Sequence, residues 1–318
     1  MRILEIFKKK IKTYFQINRK KICQKPKTIL EQLRNSLEGR YKVGSAKGFG
    51  EPLYRNRNED EKKFHGYIRS GHFHKNLHVN YHALWRLFCH HEEIPEKFYV
   101  YDIACGPYTA TISLLNFLRN HRGLKGKSFQ FTFCDMGDLV LEKLGQENKN
   151  ENNNILSFPI RLDLFPGQHN LSKGEILNTF KLDDYEIHIR QCCNKNNCKT
   201  LYEINNSEKH QVANSLNHTG INIIFCSFVG NYGEPKFINN CTKEALCKFS
   251  SEQKLFSTYI IYSHYLKNPI RKENIKNDIE NNLRNFSPKL IDDDRGEAIP
   301  FRNSYFYYIY KLDSRGTQ

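Results

Sequence analysis

The sequence predicts an α/β fold: a mostly parallel sheet with helices on both faces. Three observations predict it. Residues 99 to 118, YVYDIACGPYTATISLLNFL, pass from a short apolar run through a small-residue turn into a run with helical spacing. Two later runs, FQFTFCD at 129–135 and SFPIRLD at 157–163, again end in an acid. A fourth, INIIFCSF at 221–228, reads as another buried strand. Buried strands separated by helix-length segments are the pattern of parallel βαβ units. At 318 residues the chain has room for one large domain with an extension.

Taken in order, the first strand closes at Asp102 and the turn Ala104-Cys105-Gly106-Pro107 follows. Ile112, Leu115 and Leu118 recur every three residues, which marks one face of a helix. A strand turning sharply into a helix aims free backbone N–H groups and the positive end of the helix dipole at one point. Gly106 has no Cβ, so a ligand can approach the backbone there. The separation of Asp102 from Asp135 accommodates one helix and a turn. The Asn-rich patch at 148–154 reads as a mobile loop. Some 57 residues separate Asp163 from Ile221, more than a crossover needs. Alternation on both sides of CNKNNC predicts an inserted hairpin near 183–206, followed by a helix around 207–217.

Thr242 can cap a helix through about residue 254, and STYIIYS at 257–263 reads as a fifth strand. Ile275, Ile279, Leu283 and Phe286 mark a further helix that Pro288 ends. SYFYYIYKL at 304–312 is apolar on both faces, as a covered strand is.

The turn at 102–109 resembles the first motif of the class I S-adenosylmethionine-dependent methyltransferases. Asp102, Ala104, Gly106 and Tyr108 stand where that family has an acid and three glycines, and Cys105, Pro107 and Thr109 fit its pattern. Tyr108 departs from it, and implies a side chain that crowds or covers the methionine end of the cofactor. The resemblance spans roughly residues 97 to 312. It implies a Rossmann-like, seven-stranded, mostly parallel sheet whose final strand inserts antiparallel to its neighbours. It also implies a cofactor, S-adenosylmethionine, held by Asp102, Ala104, Cys105, Gly106 and Pro107. Asp135, with Met136 beside it, would accept hydrogen bonds from the ribose hydroxyls. Asp163 and Leu164 would lie near the adenine, and Ser227 would close the fourth strand. The acceptor would lie at VGNYGEP, 229–235, where Asn231 and Tyr232 are the catalytic candidates or shape the loop. Neither the Asp/Asn-Pro-Pro-aromatic motif of amino-directed nucleobase enzymes nor a Pro-Cys pair for cytosine C5 is present. Those two substrate classes are disfavoured.

The rest of the chain organises around that domain, assigned to residues 98–318. Residues 1–63 hold 18 Lys and Arg against 7 Asp and Glu, a surplus of 11 out of the net +15. Such an arm binds phosphate backbones, or is a solvated amphipathic helix with a linker after it. Ile3, Ile6, Phe7, Ile11, Phe15 and Ile17 form an apolar stripe that suits a helical N-terminal extension, docked on the domain or on a membrane surface. Residues 64–97 form a histidine-rich helical lid segment. His74, His78 and His82 fall at intervals of four, a spacing that can share a metal, but no acid intervenes as in a metalloprotease helix. Leu77, Tyr81, Leu84, Trp85 and Phe88 give the same helix a packing face, and a polar face beside the cofactor pocket is favoured over a metal. Tyr67, Arg69, His72, His74 and Tyr81 are candidate lid or acceptor-site residues. Cys192, Cys193 and Cys198 fall short of the four ligands of a zinc knuckle without help from His188 or His210.

Ten scattered cysteines suit reduced thiols, no apolar run is long enough to cross a bilayer, and the N-terminus lacks a secretory leader's pattern. A cytoplasmic enzyme is expected, transferring a methyl group to a small molecule or RNA. The competing readings are a non-catalytic binding or accessory subunit, possible for a glycine-depleted turn, and a nicotinamide dehydrogenase.

Overall fold

A computed structural model describes residues 71–89, 95–135, 137–149, 154–160, 178–194, 197–206, 219–227, 235–249, 253, 256–265, 270–293 and 305–312. Helix α1 (Gly71–Cys89) precedes β1 (Lys97–Ile103), α2 (Thr109–His121), β2 (Ser128–Asp135) and α3 (Asp138–Asn148). Two short strands follow, β3 (Ile155–Ser157) and β4 (Thr179–Lys181), then the hairpin β5 (Asp184–Asn194) and β6 (Asn197–Asn205). The remainder is β7 (Gly220–Ser227), α4 (Pro235–Lys248), β8 (Ser257–Tyr265), α5 (Ile270–Leu283) with a 3₁₀ turn at Arg284–Phe286, β9 (Lys289–Asp293) and β10 (Tyr305–Leu312).

Eight strands form one mixed sheet in the order β6-β5-β2-β1-β7-β8-β10-β9. The five from β5 to β8 run parallel, and β10 is antiparallel to both β8 and β9. The antiparallel last strand is as expected. The count is eight because the inserted hairpin joins the sheet: β5 pairs with β2, and β6 forms the edge beyond it.

The run at 157–163 does not form the strand beside β2. Its ladder stops at Ser157, and β3 pairs only with β4 in a separate two-stranded sheet. Pro159 has no N–H to donate to a ladder, and Phe158 and Ile160 are buried in the core instead. In β5, by contrast, Tyr185, Ile187 and Ile189 are buried at every second position, in register with Phe129, Phe131 and Phe133 of β2. That period of two is what a strand with one apolar face requires.

The sheet is covered on both faces. On one, α1, α2 and α3 pack over Phe98, Val100, Phe131 and Ile223. On the other, α4 and α5 bury Cys241, Leu246 and Ile279 against Ile103, Ile224, Tyr262 and Tyr308. Helix α4 begins at Pro235, not at Thr242, and ends at Lys248. Proline suits a first helical turn, where its missing N–H would have no partner, and Thr242 lies buried inside the helix. Asn148 is not part of a loop: it ends α3, is buried, and exchanges hydrogen bonds with both backbone groups of Ser157. Strand β9 carries too short an apolar run to stand out in the sequence. No helix among the described residues is long and apolar enough to cross a membrane.

Candidate functional site

The order β2-β1-β7 makes the C-terminal end of β1 a switch point, since the chain leaves it for β2 on one side and later fills the other with β7. Open α/β sheets bind ligands in the crevice outside such strand ends. Ile103 lies opposite both Cys134 and Cys226, so the three strands finish level with one another.

Residues 104–108 make the turn that follows. Ala104, Gly106 and Tyr108 adopt φ of 52°, 47° and 58°, three left-handed residues separated by Cys105 and Pro107. A side chain in this region costs about 1–2 kcal/mol, so Ala104 and Tyr108 hold strained backbone that glycine would relieve. The Cys105 N–H donates to the Cys134 carbonyl at 3.0 Å and the Tyr108 N–H to the Cys105 carbonyl at 2.7 Å.

Two carboxylates satisfy other N–H groups of the turn. Asp135 accepts from the Gly106 N–H at 2.8 Å through one oxygen and from the Gly137 N–H at 2.9 Å through the other. Asp102 uses Oδ2 to accept from the Thr111 hydroxyl at 2.7 Å and the Thr111 N–H at 3.3 Å. Of the N–H groups expected to converge here, those of Cys105, Gly106, Tyr108 and Thr111 are bonded within the protein, and Pro107 has none. What faces the helix terminus is negative charge, which the positive end of the dipole favours.

Asp102 is 1 % exposed. Burial pushes its pKa up to about 7; the Thr111 bonds oppose that rise and the nearby Asp135 charge adds to it. Its Oδ1 is buried and has no hydrogen-bond partner among the described residues. An unpaired buried oxygen of this kind costs about 1–3 kcal/mol, which a donor or cation at that point would recover.

Tyr108 does not cover the site. The side chain is fully buried, its hydroxyl donates to the Val140 carbonyl, and its ring lies 5.3 Å from Phe133 and 5.4 Å from Phe158. The aromatic ring belongs to the core between β2 and α3, and burial raises its pKa well above the usual phenol value.

Along the same sheet edge, Ser227 closes β7 and Ser263 lies opposite it in β8, two residues before that strand ends; both meet α1 through Asn80. The Ser263 hydroxyl donates to Asn80 Oδ1 at 2.7 Å, Ser227 Oγ lies 3.1 Å from the same atom, and the two serine oxygens are 3.1 Å apart. Asn80 is 0 % exposed, and its Nδ2 has no partner among the described residues. Nearby on α1, His82 is buried with neither ring nitrogen bonded among the described residues, its ring 5.2 Å from Trp85 and 5.6 Å from Tyr307. Burial, helped by Arg86, lowers the His82 pKa to about 4.

The structure thus brings Asp102, Ala104, Cys105, Gly106, Pro107, Asp135 and Ser227 to one strand-end edge. Met136, Asp163, Leu164, Asn231 and Tyr232 lie outside the described residues, as do the arm at 1–63, Tyr67, Arg69 and the helix expected at 207–217. Tyr81 is not part of a lid: its hydroxyl lies 2.8 Å from His121 Nε2 at the far end of α2, and its ring packs 5.4 Å from Phe117. Among the described residues no group of three His, Cys, Asp or Glu side chains is placed to hold a metal ion.

Thr111, Asn80 and Ser263 were not singled out from the sequence. Asn80 had a signal: it is a polar residue on the stripe of Leu77 and Leu84, where only an apolar side chain was expected. Thr111 gave none, because nothing local shows that a threonine in a first helical turn faces an acid nine residues earlier. Comparison with models of known protein families and with curated proteins gives no match.

Proposed function

We propose that this chain is an S-adenosylmethionine-dependent methyltransferase with a Rossmann-like domain, acting on a small-molecule or RNA acceptor. The observation that carries the reading is the pair of carboxylates, Asp102 and Asp135, flanking one left-handed turn at the end of β1. A dinucleotide's pyrophosphate needs free N–H groups at this point. Here the N–H groups of Cys105, Gly106, Tyr108 and Thr111 are already bonded within the protein, and the buried Asp102 adds an acid beside them. A nucleoside carrying a positive charge is favoured by the same charges that repel a phosphate. The dehydrogenase reading is weakened accordingly.

Two further observations support the proposal. The three positions where the resembled family has glycine, 104, 106 and 108, are the residues of this turn with positive φ. The mostly parallel mixed sheet, with β10 antiparallel to its neighbours, supports a Rossmann-like reading in which β6 is an added edge. The burial of Tyr108 removes one reason for reading the turn as a disabled binding site.

The residues present fit the cofactor. Each oxygen of Asp135 accepts one backbone N–H, and a carboxylate at this position is of the type that accepts ribose hydroxyls in Rossmann-like folds. Asp102 places an unpaired buried oxygen near the turn for a cationic group. S-adenosylmethionine supplies, when bound, a methyl group already activated by its sulfonium charge. The chain's part is then to fix the nucleoside at Asp135, hold the Gly106 backbone close to it, exclude water with α1, and align the acceptor.

Calorimetry decides between the readings. S-adenosylhomocysteine is expected to bind, NAD is not, and Asp135→Ala is expected to weaken the nucleoside at least tenfold. Binding of NAD alone, or affinity indifferent to Asp135→Ala, overturns the proposal.

A further inference from the structure

We propose that Cys192 and Cys198 are a reversible modification site, forming a cross-strand disulfide by exchange with glutathione disulfide. The two are register partners in the β5–β6 hairpin, between the pairs Gln191 with Lys199 and Asn194 with Asn197. Residues directly opposite in an antiparallel ladder have Cα atoms about 4.5 or 5.5 Å apart, both within the range of about 4.4–6.8 Å that a disulfide spans. Cys193 has no such partner: the register shifts between Cys192 and Asn194, which makes it the extra residue on β5. Of the three cysteines between 192 and 198, the backbone thus selects one pair. The same backbone weighs against a metal. His188 stands four residues before Cys192, about 13 Å back along the strand, and its register partner is Glu203. A zinc ligand lies within about 2.3 Å of its ion, so His188 does not complete a site at the tip.

The tip stands apart from the rest of the sheet. The last pair between β2 and β5 is Asp135 with Gln191, so among the described residues Cys192 to Asn194 have only β6 beside them. Backbone paired from one side opens more readily than a central strand, which admits exchange there. The sequence adds Lys195 and Lys199 and has no acid between Ile187 and Tyr202. Positive charge near a thiol favours the thiolate, the nucleophile of the reaction. One cysteine thiolate attacks a sulfur of glutathione disulfide, giving a mixed disulfide and releasing one glutathione thiolate. The second cysteine thiolate attacks the protein sulfur of that mixed disulfide and releases the second glutathione. The two cysteines lose two electrons, which reduce glutathione disulfide to two glutathione thiolates, and the two cysteine protons end on these. Because Cys192 follows directly on the register partner of Asp135, the bond fixes a hairpin end that borders the candidate site. The inference is independent of the ligand assigned to that site.

The test incubates the full chain in glutathione buffers of rising oxidised fraction, blocks the remaining thiols with N-ethylmaleimide, and maps tryptic peptides by mass. Cleavage after Arg190, Lys195 and Lys199 separates Cys192 from Cys198, so a bond between them joins peptides 191–195 and 196–199. This linked species is expected in the folded wild type, reversible by dithiothreitol, retained in Cys193→Ser and at least tenfold less abundant in Cys192→Ser. Hydrogen exchange at the Asn194 and Asn197 amides is expected to slow at least tenfold on oxidation. No linked species at any buffer ratio, or a link that survives Cys192→Ser and is lost in Cys193→Ser, would overturn the inference. A bond from either cysteine to one outside the hairpin would do the same, as would stoichiometric zinc that is lost in Cys198→Ser. Equal linkage in the urea-unfolded chain would also overturn it, by tracing the bond to proximity in sequence and not to strand register.

Discussion

The Asp135 carboxylate and the Gly106 N–H meet at 2.8 Å, joining the end of β2 to the turn that follows β1. With its second bond to the Gly137 N–H at 2.9 Å, the carboxylate fixes two backbone segments that have no ladder between them. Charge-assisted bonds of this kind are about twice as strong as neutral ones.

Asp135→Asn keeps the size of the side chain but replaces one acceptor oxygen with a donor, facing either the Gly106 or the Gly137 N–H. The expected loss is about 1–3 kcal/mol in urea unfolding at pH 7, with nucleoside affinity reduced together with it. An unchanged midpoint would show that the carboxylate does not hold the turn in solution.

Asp102 makes stability depend on pH in the direction opposite to a salt-bridged acid. Its pKa rises from 3.8 in the unfolded chain to about 7 in the fold. Below the unfolded value both states carry the proton and no penalty arises. As pH climbs from about 4 to about 7 the unfolded chain releases its proton while the folded one keeps it, so this group's contribution to stability falls, by up to about 1.4 kcal/mol per pH unit. Above the folded pKa the penalty is complete. Asp102→Asn should flatten that part of the stability profile, measured by denaturant titration from pH 4 to 8. Bound cationic ligand should tighten as pH rises through 7 in the wild type and lose that dependence in the variant.

Tyr108 is a packing residue on strained backbone, and its variants should separate the two effects. Tyr108→Phe loses the bond to the Val140 carbonyl, an expected cost of about 1 kcal/mol, with nucleoside affinity unchanged. Tyr108→Gly relieves a φ of 58° but vacates the core beside Phe133 and Phe158. A cavity of aromatic size costs about 3–5 kcal/mol and the relief returns about 1 kcal/mol. The net outcome is therefore a less stable protein, despite a turn closer to the family pattern. A glycine variant more stable than wild type in thermal unfolding would contradict the burial described for Tyr108.

Asn148 fastens β3 to the end of α3. Its amide donates to the Leu144 and Ser157 carbonyls at 2.9 and 2.7 Å, and its oxygen accepts the Ser157 N–H at 2.8 Å. Asn148→Ala should cost about 1–3 kcal/mol and accelerate hydrogen exchange of the Ser157 amide. Protection at Ser157 equal to the wild type would place its fastening elsewhere.

The parallel centre of the sheet was legible because its strands announce themselves locally. Phe129, Phe131 and Phe133 alternate with polar residues, Ile221 to Cys226 form an apolar run interrupted at Asn222, and Tyr305 to Leu312 read as covered. The third parallel strand was not. SFPIRLD ends in an acid as its predecessors do, and only the tertiary pairing shows that Pro159 stops the ladder while the hairpin strand β5 takes the place beside β2. Of the site, the acids and Gly106 were visible because a strand-turn-helix passage confines them within a few residues. Asn80, Ser227 and Ser263 come together from positions 147 and 36 residues apart. No local pattern encodes a contact of that range. The left-handed backbone at Ala104 and Tyr108 was likewise hidden, since neither residue type signals it.

The interleaving of β10 between β8 and β9 has a consequence for assembly on the ribosome. β9 is made before β10 yet, among the described residues, pairs with no other strand of the main sheet. Until residues 305–312 emerge, β8 presents an open hydrogen-bonding edge lined by Ile260, Ile261 and Tyr262, and β9 has no ladder to join. An exposed apolar edge of that kind invites pairing with other chains. A nascent chain stalled short of residue 305 should therefore need chaperone protection, and should lose that need once β10 is free to slot into the gap.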